Sequence, residues 1–255
     1  GPYLGNLSSD GERVVLRDAG GDIADKVEFS VGYPWPVESG GSGGSMELIH
    51  PLLDNDLGGS WRASSPVDGV REPTPGAFNS TAAINPPPQS RQVLHTPQTP
   101  KTGEVVQISV KVTDPQGVAG VTLEFQVVLP GDYIPALIPV PHGALMANPF
   151  APMTTNPAYH AEANWVSTPM NDEGESGDLE PGDNRYTATL PPQTHRTLVR
   201  YRVRVEDLYG AHVTVPYDDD ASLNFAYFVH DGVPAYEGYS AEVMTSLPVY
   251  SLLAR

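Results

Sequence analysis

Three stretches of this chain alternate apolar and polar residues with a period of two. Val106, Ile108, Val110 and Val112 alternate with Gln107, Ser109, Lys111 and Thr113. Val121, Leu123, Phe125 and Val127 alternate with Thr122, Glu124 and Gln126. Val199, Tyr201, Val203 and Val205 alternate with Arg200, Arg202 and Arg204. Successive side chains of a strand point to opposite faces, so each stretch reads as a strand with one face in a core and one in water. A slip of one residue would bury Lys111 and Arg202, which fixes the register. Strands are therefore expected at 105–113, 121–128 and 198–206, facing one core. Asp114-Pro115-Gln116-Gly117 is the turn between the first two. With no amphipathic helix beside them, these strands predict an all-β sandwich of immunoglobulin-like class over residues 91–229.

The rest of the composition agrees with short strands and many turns. The chain has 27 Pro and 25 Gly in 255 residues, a density that breaks helices. At 39% hydrophobic it has material for sizeable cores, and its length suits two modest domains. No apolar run of about 18 residues is present, so no transmembrane helix is expected. The net charge of −17 repels phosphate backbones and argues against nucleic-acid binding. Cysteine is absent, which excludes disulfides, thiolate metal sites and a cysteine nucleophile. Gly1-Pro2 fits a protease-cleavage scar or the start of a processed chain.

Proline-rich punctuation divides the chain. Residues 1–79 form a first β-unit with strands expected at Glu12–Asp18, Ile23–Ser30 and Met46–His50. The turn Asp18-Ala19-Gly20-Gly21-Asp22 joins the first two, and the glycine-rich stretch Ser39–Ser45 is a flexible loop. Residues 80–90, with Pro86-Pro87-Pro88, read as an extended linker. Inside 91–229 lies a long insertion, 130–170, rich in Pro, Ala, Asn and aromatics; loops of that length in a compact domain are usually functional. Leu223–His230 is expected as the last strand, and residues 230–255 form a tail.

Leu7–Asn79 resembles the C-terminal half of a bacterial lamin-tail domain. The resemblance rests on Gly11-Glu12, Pro34-Trp35-Pro36, Ser45-Met46-Glu47-Leu48-Ile49, Gly59-Ser60-Trp61 and Thr74-Pro75-Gly76. Residues 93–216 resemble the immunoglobulin-like domain that follows lamin-tail domains in large bacterial surface proteins. That part rests on Asp114, Gly117-Val118, Asn171-Asp172-Glu173-Gly174, Gly177-Asp178, Gly182-Asp183-Asn184 and Tyr186-Thr187-Ala188. Leu247-Pro248-Val249-Tyr250 resembles the start of the spore-coat-protein-H-like kinase domain found downstream in such proteins. The resemblance implies tandem immunoglobulin-like sandwiches in an extracellular or cell-surface bacterial protein. It also implies that the first unit keeps an open sheet edge, covered by a partner, by self-association or by the rest of the chain.

Asp172, Glu173, Glu175, Asp178, Glu180 and Asp183 fall within twelve residues, interleaved with glycines. Carboxylates on glycine-rich turns suit calcium, which takes six to eight oxygens in flexible geometry. Asp172, Asp178 and Asp183 are the candidate ligands. The spacing is not that of an EF-hand, and the same residues also build a solvated double turn in which aspartates cap backbone amides. The shorter acidic runs Asp54-Asn55-Asp56 and Asp218-Asp219-Asp220 read as loop caps. His142 and the His160-Ala161-Glu162 pair lack zinc spacing. There is no Gly-x-Ser-x-Gly elbow and no phosphate-binding loop, so no catalytic residue is assigned. Trp35 and Trp61 read as core plugs; Trp165 is open for stacking on a sugar ring or protein partner. Arg200, Arg202 and Arg204 either pair across strands with carboxylates such as Glu124 or form a docking stripe for an acidic partner.

These features point to a non-catalytic extracellular module serving as spacer, adhesion or protein-docking element, with a protein or glycan partner and calcium as the one cofactor the sequence suggests. Two other readings remain: an accessory segment of a spore-coat-protein-H-like kinase, and a carbohydrate-binding module.

Overall fold

The computed structural model describes residues 7–37, 43–68, 70–175, 177–220 and 222–246. The expected features at Gly40–Ser42 and Leu247–Tyr250 lie outside them. The described chain is an all-β fold with antiparallel sheets, the larger two packed as a sandwich.

The N-terminal part holds three two-stranded ribbons. Strands β1 (Glu12–Arg17) and β2 (Ile23–Phe29) form the expected hairpin. Its turn is tied by the Asp18 carboxylate, which accepts the N–H groups of Gly20 and Asp22 at 2.8 and 3.0 Å. Strand β3 (Met46–Leu48) pairs with β4 (Trp61–Ala63), and β5 (Pro66–Val67) with β6 (Val70–Arg71). Trp35 and Trp61 stack with ring centroids 6.4 Å apart, and Trp35 is buried. Gly58 sits where any Cβ would lie 2.8 Å from the Pro34 carbonyl carbon, so the turn before Trp61 packs onto the Pro34-Trp35 backbone only as glycine.

The sandwich begins at β7 (Gln89–Thr96), two residues inside the proline-rich stretch 80–90; Gln89 and Ser90 are buried there. It continues through β8 (Val106–Thr113) and β9 (Val118–Val128). The insertion carries β10 (Leu137–Ile138), α1 (His142–Ala147), β11 (Thr154–Thr155) and α2 (Pro157–His160). Then follow β12 (Val166–Met170), β13 (Arg185–Leu190), β14 (Leu198–Asp207), β15 (His212–Val215) and β16 (Phe225–Phe228). A short α3 (Ala241–Met244) lies in the tail.

One sheet runs β12-β9-β14-β15, with β16 also on β14; the other runs β13-β8-β7. The alternating stretches face each other across one core. Leu123 opposes Val203, Val121 opposes Val205 and Phe125 opposes Tyr201 in the β9–β14 ladder, and Ile108 and Val110 come from β8 of the other sheet. On the outer face the same ladder sets Glu124 opposite Arg202, and Thr122 opposite Arg204.

The N-terminal ribbons are clasped to this sandwich. The Tyr33 ring lies 5.6 Å from Tyr217 and 5.4 Å from Phe225, and its hydroxyl donates to the Ser90 carbonyl at 2.7 Å. Gln89 Nε2 donates to Ser60 Oγ at 2.7 Å, Asn85 Nδ2 to Asp207 Oδ2 at 2.7 Å, and Arg71 pairs with Asp218 at 3.6 Å. Burial drives the Tyr33 hydroxyl pKa well above its ordinary value, so it stays a neutral donor.

Candidate functional site

The loop between β12 and β13 brings Asp172, Asp178 and Asp183 together: one carboxylate oxygen from each lies within 4.8 Å of the others. Gly174 and Gly177, at φ of 74° and 101°, supply the left-handed turns that fold the loop back on itself. The same carboxylates bind the loop's own backbone. Asp172 accepts from the N–H groups of Gly182 (3.1 Å) and Asn184 (2.9 Å), Asp178 from Gly174 (2.7 Å) and Asp183 from Arg185 (2.7 Å). Gln107 of β8 donates to the Gly177 carbonyl. The arrangement is thus a capped double turn whose oxygens also converge as a divalent cation requires. Asp178 is the buried member; the other two are half-buried.

The other acidic runs are caps. Asp54 accepts the Asp56 N–H at 2.9 Å. Asp220 accepts from Ser222 at 2.9 Å and from Tyr33 at 3.2 Å. Asp219, half-buried beside them, has its pKa raised by burial, partly offset by Arg71.

A second site lies on the outer face of the β9–β14–β15 sheet. The insertion roofs one end of that face. Tyr159 of α2 is buried, its hydroxyl donating to Asn224 Oδ1 at 2.8 Å. Trp165 meets it edge-on at 5.5 Å and donates its indole N–H to the Tyr159 carbonyl at 2.6 Å. The Arg202 guanidinium covers the Trp165 ring at 4.4 Å and pairs with Glu124. Trp165, expected as an open stacking residue, is therefore buried, with 9% of its surface exposed, because the insertion folds it onto the sheet. Arg200 is drawn under the roof, donating to Gln126 Oε1 and the Ile134 carbonyl; burial lowers its pKa, with Tyr159 opposing.

The uncovered part of the face is a cavity of about 630 Å³. Arg202, Arg204 and Thr214 floor it, Tyr159 and His160 wall one side, and Arg62, Tyr217 and Leu223 wall the other. Arg62 and Tyr217 carried no signal in the sequence. Arg62 follows a strand tryptophan and Tyr217 precedes an acidic turn, and only the clasp between the N-terminal ribbons and the sandwich brings them to one groove.

Neither family models nor curated proteins give a match to this chain.

Proposed function

We propose that this chain is a non-catalytic docking module of an extracellular or cell-surface bacterial protein. The observation that carries this reading is the insertion. Residues 133–161 contain no Asp, Glu, Lys or Arg, in a chain of net charge −17. Helix α1 has no buried residue. Met146, Phe150 and Met153 are 73%, 92% and 57% exposed, with Leu145 and Ile138 beside them in sequence also exposed. Large exposed apolar side chains on an uncharged arm are costly to keep in water unless another surface covers them. Methionine and phenylalanine adapt well to a partner's apolar groove. The sandwich and its clasp supply a rigid base; the arm supplies the contact.

The test is a photo-reactive phenylalanine analogue at position 150 in the intact parent protein on its native cell surface. Cross-linking to one other protein, abolished in the M146D/F150D variant, is the expected result. Cross-linking only to a second copy would make the arm a self-association element, and no specific product would refute the docking role.

A further inference from the structure

The groove on the outer sheet face is a second recognition site, independent of the arm, and its chemistry is specific. The chain has only 14 Lys and Arg residues against 31 Asp and Glu, yet Arg62, Arg202 and Arg204 converge on this cavity. Arg71 and Arg200 flank it through Asp218 and Tyr159. Arg204 is the most available: about half its side chain is exposed, and its ion pair with Glu206 is loose at 4.0 Å. The β-ladders place Thr122 and Thr214 on either side of it, so a guanidinium stands between two hydroxyls on the floor. His160 and His212 line the rim, and Pro216 and Leu223 add an apolar wall.

We propose that this groove binds a short oligosaccharide bearing uronic-acid carboxylates. A guanidinium fork matches a carboxylate in two parallel hydrogen bonds. Threonine hydroxyls and imidazoles donate and accept, as sugar hydroxyls demand. The volume lies within the range of small-ligand clefts, about 300–1,000 Å³. An acidic peptide fits less well. Extended peptides are usually read through a free strand edge, whereas the floor strand β14 is paired on both sides, to β9 and to β15 and β16. A long polyanion would meet the repulsion of the surrounding −17 surface, so the ligand is short.

The test is calorimetric titration of the full chain with trigalacturonate at low salt, with neutral galactotriose and a capped tri-glutamate peptide as comparators. Trigalacturonate binds, galactotriose binds far more weakly, and salt weakens the interaction. R204A lowers the affinity by about tenfold, as expected for losing one charge-assisted contact. R204K falls between, since it keeps the charge but loses the fork. R13A on the distant β1 hairpin and M146D/F150D on the arm leave binding unchanged, which separates this site from the docking role. Failure of trigalacturonate to bind at millimolar concentration, or indifference to R204A, overturns the proposal. So does equal or tighter binding of tri-glutamate, which would assign the groove to an acidic peptide.

Discussion

The guanidinium carbon of Arg62 lies 4.1 Å above the centroid of the Tyr217 ring. Arg62 also donates to the carbonyls of Gly59 and Trp61 at 3.0 and 2.7 Å, so it is held by its own unit while it covers an aromatic of the other. Tyr217 is buried and touches Tyr33 in turn. One arginine thus ties the tryptophan-rich ribbons to the sandwich. R62A should lower unfolding stability by about 2 kcal/mol, combining a desolvated cation–π contact with two lost hydrogen bonds. R62K should recover only part of this, because an ammonium cannot serve both carbonyls and the ring. Urea denaturation measures both. A loss below about 0.5 kcal/mol would place R62A among ordinary surface changes and refute the clasp.

A buried carboxylate organises the N-terminal ribbons. Glu47 of β3 is 3% exposed. Its two oxygens accept from Ser45 Oγ (3.1 Å), Thr74 Oγ1 (2.5 Å), Ser80 Oγ (2.8 Å) and the Thr81 N–H (3.1 Å). Burial alone would raise its pKa, but the hydrogen bonds outweigh it and hold the pKa below 4.5. A depressed folded pKa contributes stability that is fully present above the unfolded value and lost as pH falls through the folded one. The chain should therefore lose stability as pH drops below about 4.5, and E47Q should flatten that acid limb. E47Q should also cost about 2 kcal/mol at neutral pH, since an amide nitrogen would face hydroxyl donors. Asp114 and Asp219, with pKa values raised by burial, act in the opposite sense, but equally in parent and variant. Melting temperatures of the two proteins from pH 3 to 7 provide the check.

How much of this was legible depends on how many side chains each element sends to the core. β8, β9 and β14 send four, three and four buried apolar residues inward, so their alternation stands out. β12 sends only Met170, β13 only Ala188 and Leu190, and β15 only Val213 and Val215. Periods that short do not rise above a proline-rich background, and β12 lay hidden at the end of the insertion. The aspartate cluster was readable because glycine and aspartate fold that loop locally. The groove was not, because its walls come from segments some 150 residues apart. The burial of Trp165 depends on where the insertion lands, which no local pattern encodes.

The packing at Gly58 yields a sharp steric prediction. A Cβ there would lie 2.8 and 2.9 Å from the Pro34 carbonyl carbon and oxygen and 2.9 Å from Trp35 Cδ1. Two of those atoms are backbone and cannot swing aside. G58A should therefore destabilise by about 1–3 kcal/mol through overpacking, and should partly expose Trp35. A red shift in tryptophan emission should accompany the lower melting temperature. A variant as stable as the parent, with unchanged emission, would show that the Pro34-Trp35 turn is free to move.

The aspartate loop makes the last prediction. Asp172, Asp178 and Asp183 present about twelve lone-pair sites between them, and their backbone contacts use four N–H donors. Those donors orient the carboxylates without removing the repulsion among three charges whose nearest oxygens lie within 4.8 Å. A divalent cation would offset that repulsion, and calcium accepts irregular oxygen sets of this kind. Calcium should accordingly raise the thermal midpoint, by the equivalent of about 2.7 kcal/mol at a hundredfold excess over its dissociation constant. Chelator should reverse the shift. D178N should abolish it, since the buried member of the trio then offers one neutral oxygen in place of a carboxylate. The role is structural: the loop joins β12 of one sheet to β13 of the other, so ordering it couples the two layers of the sandwich. A midpoint unchanged between calcium and chelator, with no heat on titration, would mean that the backbone donors alone hold the turn.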